Sequence, residues 1–241
     1  MITKLKCKFT ITFFINILYF RIMNWLETYI TLPTYDNVKD EKANAYTHFF
    51  GAVYALIALI YIIYNLNRFP GTTLKIGMII FGLSNLLLYA ASGFYHYLPK
   101  NNAKRVCRIL DHSNIYILIA GTYTPILLYI NSPTTIAIAW ALLVICVLGI
   151  AFTLIFWERL KPFHVVLYLL MGWMLVFFWK AVVPFIPNGL INYIIAGGIT
   201  YSLGIIFYAC KKIPYYHAIW HLFVLGGSFC FYLGFFKYLM V

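Results

Sequence analysis

From about residue 45 onward the chain repeats one pattern: an apolar run close to twenty residues long, then a short polar or proline-containing break. Seven such runs are legible, at roughly 45–66, 76–97, 110–130, 134–156, 163–183, 190–209 and 216–238. The breaks between them are Arg68-Phe-Pro-Gly71, Pro99-Lys-Asn-Asn102, Asn131-Ser-Pro133, Arg159-Leu-Lys-Pro162, Pro184-Phe-Ile-Pro-Asn-Gly189 and Lys211-Lys-Ile-Pro214. A helix of about twenty residues rises about 30 Å, the thickness of the hydrocarbon core of a bilayer. Within lipid, a single crossing segment satisfies its backbone only as a helix. The pattern therefore predicts an all-α, polytopic membrane protein built as a seven-transmembrane-helix bundle.

Residues 1–37 fit this pattern poorly. Lys4, Lys6 and Lys8 precede a mostly apolar run, Phe9–Phe20, that Arg21 ends. Twelve residues fall short of about twenty for a crossing, and the sequence that follows has no small-residue cleavage site of a secretory signal. The segment reads as an interfacial anchor, or as a leader to a start at Met23, and is set apart from a membrane domain at 38–241.

Composition agrees with the pattern. Hydrophobic residues make up 63% of the chain and charged residues 10%, against about a quarter charged in soluble proteins. The mean hydropathy is +0.86. The net charge of +12 would point to nucleic acid in a soluble chain. Here the basic residues lie between apolar runs, where they set topology and meet anionic head groups, and no nucleic-acid-binding motif accompanies them. The five cysteines are scattered without a C-x-x-C pair, which argues against a disulfide framework or a cysteine metal site.

Counting basic residues in the breaks gives the orientation. The side of the N-terminus carries ten (Lys39, Lys42, Lys100, Lys104, Arg105, Arg108, Arg159, Lys161, Lys211, Lys212) and the other side four (Arg68, Lys75, Lys180, Lys237). Positively charged loops stay in the cytoplasm, so the expected topology has the N-terminus inside and the C-terminus outside.

On that topology all six histidines fall in the cytoplasmic half: His48, His96, His112, His164, His217 and His221. His217 and His221 are four apart, on one helix face about 6 Å apart along the axis. Glu41, Asn44 and His48 follow i, i+3, i+7, one face of the entering helix. Ser92 and His96 are four apart on the last turns of their run, and Asp111 opens the next. Three histidines from two helices, His96, His217 and His221, with a nearby carboxylate form a zinc-type ligand set. Plainer readings exist for each alone. The histidine pair could pack at the interface beside Trp220, His96 could be an interface residue, Glu41 a first-turn acid, and Asp111 a helix cap paired with Arg108. Their convergence at one level is what favours a metal.

At these residues the sequence resembles the haemolysin III family, the bacterial branch of the progestin and adipoQ receptor superfamily. The matching pieces are Glu41-Lys-Ala-Asn44-Ala-Tyr-Thr-His48, Ser92-Gly-Phe-Tyr-His96, Leu110-Asp111-His112-Ser-Asn-Ile running into Ala120-Gly-Thr-Tyr-Thr-Pro125, and His217-Ala-Ile-Trp-His221, in order over about residues 38–238. The resemblance implies seven helices, N-terminus inside, and a zinc ion held by His96, His217 and His221, with the family's aspartate at Asp111 and its serine at Ser92. It leaves residues 1–37 unmatched.

Three functions are open at this point. The first is a zinc-dependent hydrolase of lipid amides or esters in membrane lipid homeostasis, supported by the superfamily's likeness to alkaline ceramidases. Three neutral histidines leave zinc a fourth position for water, whose pKa falls to about 7. Asp111 would take or orient its proton, Ser92 would orient the reacting groups, and Glu41, Asn44 and His48 would support the ligands. The second is a non-catalytic sensor or receptor-like regulator of membrane fluidity with structural zinc. The third is a pore-forming haemolysin, which needs polar groups through the full depth of the bilayer. The expected partner is a membrane lipid, as substrate or ligand, in a multi-pass protein of the bacterial cytoplasmic membrane.

Overall fold

The computed structural model describes residues 2–33, 37–157, 159 and 161–241, and these form helices with no strand among them. In chain order they are α1 (Ile2–Tyr29), α2 (Val38–Tyr64), α3 (Thr72–Tyr97), α4 (Asn102–Ile130), α5 (Pro133–Ile155), α6 (Lys161–Gly172), α7 (Trp179–Val182), α8 (Leu190–Ala209) and α9 (Tyr216–Tyr238). The break expected at 159–162 falls partly outside the described residues.

Six helices, α2, α3, α4, α5, α8 and α9, are long and apolar enough to cross a membrane. Their ends follow local chemistry. Asn37 caps α2 through Lys39 N, Asn101 caps α4 through Lys104 N, and Ser132 with Thr135 forms a reciprocal box ahead of Pro133 in α5, each satisfying amides that a helix start leaves open. Asn131 ends α4 in the left-handed conformation, φ 51°. Helix α4 starts eight residues ahead of the apolar run, because Asn101 and not hydropathy sets its beginning. Asp111 is therefore more than two turns inside the helix and does not cap it.

The fifth predicted run, 163–183, is not one helix. After α6 ends at Gly172 the chain makes a 3-10 turn at 174–176, the single turn α7, and a second 3-10 turn through Pro184. Hydropathy could not reveal this, since the stretch is as apolar as an unbroken span. The freed backbone groups find a side chain: Tyr123 Oη donates to Gly172 O at 2.6 Å and accepts from Leu175 N at 3.1 Å. Irregular backbone at membrane depth survives only where protein satisfies it. Pro125 lies inside the continuous helix α4, where it removes the backbone donor to Gly121 O, and Thr124 Oγ1 donates to that carbonyl at 2.7 Å and lies 3.1 Å from Gly77 O.

Helix α3 lies between α2 and α4, and α8 packs along α9. Small residues let them approach: a Cβ on Gly121 would stand 2.4 Å from Ser84 Oγ, and one on Gly77 2.9 Å from Thr124 O. Such close contact, rather than hydrophobic exclusion, holds helices together in lipid. The largest core cluster, including Ile62, Leu74, Phe81, Leu190 and Phe235, fills the end of the bundle away from His96 and His217. On the outside, Leu56, Ile57, Val144, Leu148 and Ile206 are exposed, as a lipid-facing surface requires.

The arm is helical. The short run Phe9–Phe20 belongs to the longer helix α1, whose Leu18, Tyr19 and Phe20 are exposed. Its end docks on the bundle: Leu26 and Ile30 pack with Trp157, and Arg105 Nε donates to Ile30 O at 3.0 Å. Arg108 donates to Thr31 O and, at 3.2 Å, to Thr31 Oγ1.

Candidate metal centre

Helix α3 ends one residue after His96, where Leu98 turns extended ahead of Pro99. Helix α9 starts after Tyr215, held at φ 57°, and places His217 and His221 on its first two turns. The two helix ends meet. Ring centroids are 5.1 Å apart for His96–His217, 5.3 Å for His96–His221 and 4.5 Å for His217–His221. One ring nitrogen from each lies within 4.8 Å of the others, the one such group among the described residues. His96 and His221 are buried and His217 is half-buried.

Helix α2 supplies the surroundings. The Glu41 carboxylate accepts from His96 Nδ1 at 2.6 Å. His221 Nδ1 faces Asn44 O at 3.2 Å and Thr47 Oγ1 at 3.0 Å. A carboxylate and a carbonyl only accept, so Nδ1 carries the proton in both rings and Nε2 keeps the lone pair for a metal. Metal-binding histidines are ordinarily held this way. The donor set thus fits a zinc-type ion: three imidazoles, two with Nδ1 already engaged and Nε2 left to ligate. His48 meets the group differently. Its ring stacks on His221 at 3.5 Å, with 15° between the planes, and neither of its buried nitrogens has a hydrogen-bond partner. Asn44 contributes its main-chain carbonyl, and its side-chain Oδ1 is unpartnered.

Asp111 lies outside the histidine group, on the wall of a cavity of about 300 Å³ that His217 and His221 also line. His112 Nδ1 is 3.5 Å from the Asp111 carboxylate. The buried Ser92 hydroxyl faces that carboxylate without a hydrogen bond of ordinary length. From this polar end the cavity continues between α4, the broken segment, α8 and α9, past Thr122, Trp173, Val176 and Gly198 to Phe231. His217 and Phe231 are fourteen residues apart on one helix, about 21 Å along its axis, so the cavity is long, and its lining away from the histidines is mostly apolar.

The residues singled out in the sequence therefore gather at one end of the bundle. His96, His217 and His221 form the group, Glu41, Asn44 and His48 touch it from α2, Asp111 lines the adjoining cavity, and Ser92 is buried facing Asp111. Two participants were not singled out. Thr47 precedes His48 but lies off the i, i+3, i+7 face, so spacing does not point to it. Lys104 was counted only as a loop charge, yet it is buried, and its Nζ donates to Glu41 Oε1 at 3.3 Å. The N-cap Asn101, three residues earlier, is a signal for the helix start there, but it says nothing of the inward turn of the Lys104 side chain.

Comparison with known proteins adds the family context. A family described as haemolysin-III related matches residues 36–232. The chain is 40% identical over 195 residues to the Hemolysin-3 homolog of Bacillus subtilis, covering 79% of this chain and 90% of that protein. It is also 40% identical to Hemolysin-3 of Bacillus cereus, covering 79% and 88%. The human monocyte to macrophage differentiation factor is 29% identical over 209 residues, covering 83% and 84%.

Proposed function

The chain belongs to the haemolysin III family, and from that membership we propose that it is a zinc-dependent hydrolase of lipid amides or esters, working at the cytoplasmic end of its bundle. The observation that carries this reading is the continuity of the histidine group with a long apolar cavity whose polar end also holds Asp111. A metal that only ties helices together needs no such cavity. An acyl chain needs one, and about 21 Å exceeds half of the roughly 30 Å hydrocarbon thickness. The bias of basic residues toward the histidine end supports an inside N-terminus, and the broken segment 161–185 takes the place of the fifth of the seven expected crossings. The Bacillus relatives support the bacterial cytoplasmic membrane as its location.

His96, His217 and His221 would hold the ion. When bound, zinc supplies Lewis-acid activation of a carbonyl and of water at neutral pH. The rest falls to the protein. The Asp111 carboxylate accepts the proton of the attacking water and returns it to the departing amine or alcohol. Ser92 donates a hydrogen bond to a substrate oxygen or to Asp111. The cavity seats the acyl chain and keeps bulk water from the polar end. Glu41 and Asn44 fix the rings of His96 and His221.

A second reading, a regulator of membrane lipid state with structural zinc, draws support from the way the histidines and Glu41 join α2, α3 and α9. A pore draws none: the far end of the bundle is filled by Ile62, Leu74, Phe81, Leu190 and Phe235.

The purified protein should release fatty acid from a long-chain N-acyl lipid or acyl ester. Asp111→Asn should keep its zinc and lose at least about 100-fold in rate, the usual share of a general base. If zinc-loaded wild type releases nothing, while wild type and Asp111→Asn alter membrane lipid composition equally in cells, the regulator reading replaces this one.

A further inference from the structure

We propose that Lys104 is a positioning residue for the metal centre: it holds the Glu41 carboxylate against His96 Nδ1 and so fixes the ring that offers Nε2 to the ion. The inference rests on the metal-binding reading above and extends it to a residue that does not touch the ligands.

Lys104 sits where helix stability alone gives no reason for a lysine. It is the third residue after the cap Asn101, at the positive end of the α4 dipole, where a cation is unfavourable. A lysine at a membrane boundary ordinarily extends to water, as Lys100, three residues before α4's Ala103 and exposed, is free to do. Lys104 is instead buried, 4% exposed, which is costly for an ammonium unless every donor is engaged. It is engaged. Nζ donates to Glu41 Oε1 at 3.3 Å and to Leu98 O at 3.1 Å, and lies 5.2 Å above the Tyr95 ring.

The geometry of Glu41 gives this arrangement its consequence. One carboxylate oxygen takes Lys104, the other takes His96 Nδ1 at 2.6 Å. A carboxylate gripped at both oxygens cannot turn about its terminal bond, so its direction toward the histidine is set. Without Lys104 the carboxylate, 15% exposed, is free to rotate toward water. The lysine's bond to Leu98 O holds Nζ in place beside Glu41.

The test measures zinc affinity of the full-length protein in detergent, by metal analysis after equilibration with chelator-buffered zinc, together with the visible spectrum of the cobalt-loaded form. Lys104→Met should weaken zinc binding by about 10–100-fold, the usual effect of losing an outer partner of a metal ligand, and should change the cobalt spectrum. Glu41→Gln should do the same. Because Lys104 acts through Glu41, adding Lys104→Met to Glu41→Gln should cost little more. If Lys104→Met does not accumulate as folded protein, Lys104→Ala, which likewise removes the donor to Glu41, carries the same expectation. Unchanged zinc affinity and cobalt spectrum in a folded Lys104 variant overturn the proposal, as does a full additional loss in the Glu41→Gln background. In both cases tight zinc in wild type and its loss in His96→Ala leave the metal reading standing. Absence of zinc from wild type, or full zinc in His96→Ala, overturns the metal reading itself and this inference with it.

Discussion

Replacing Tyr123 by Phe tests how the protein tolerates a broken helix in lipid. The ring and its packing stay, and only the hydroxyl goes. Two bonds go with it: the one donated to Gly172 O at 2.6 Å and the one accepted from Leu175 N at 3.1 Å. A buried backbone group left unsatisfied costs about 1–3 kcal/mol, so the pair bounds the loss at about 2–6 kcal/mol. Side-chain hydrogen bonds between membrane helices are usually worth less, about 0.6 kcal/mol on average, because the unfolded state finds partners too. The present case should exceed that average, since one hydroxyl serves both sides of a break that regular helical bonds do not close. Some relaxation of the segment toward regular helix offsets part of the cost. The expected loss is therefore about 2 kcal/mol, between the two scales. Reversible unfolding in mixed micelles reads it directly, and amide exchange at Leu175 should speed up in parallel. A loss below about 0.5 kcal/mol, within the range of a neutral surface change, with Leu175 as protected as before, refutes the claim that Tyr123 braces the break.

Two further outcomes follow from the geometry. Gly198→Trp should leave zinc binding intact and remove turnover of long-chain substrates while sparing short-chain ones. Gly198 lines the apolar limb of the cavity with room for a side chain, its nearest neighbour being Trp173 at 3.6 Å from a built Cβ; paired rate measurements on the two chain lengths check this. Gly77→Ala should cost about 1–3 kcal/mol, the usual range for overpacking, because its Cβ would stand 2.9 Å from Thr124 O and 3.0 Å from Pro125 Cα, both backbone atoms that cannot rotate away. The same unfolding titration reports it.

The histidine group is more legible in the sequence than the fold around it. His217 and His221 reveal their shared face by spacing alone, and His96 is placed at their level by counting crossings. The i, i+3, i+7 set on α2 pointed at the group because a helix face is local information. What failed to show was whatever depends on a partner far along the chain. The break after Gly172 has no proline at its start, and its brace, Tyr123, lies 49 residues earlier. Lys104 reads as one more positive-inside charge until Glu41, 63 residues away, turns it inward. The start of α4 was misplaced for a different reason: hydropathy marks where a helix meets lipid, whereas a cap such as Asn101 marks where it begins.

The central claim is that His96, His217 and His221 bind one metal ion. Zinc content of the purified full-length protein, set beside the triple alanine variant at matched folding, tests it most directly. The account predicts stoichiometric zinc in the wild type and only traces in the variant. Wild type purified without metal, or a triple variant that keeps stoichiometric zinc, contradicts it.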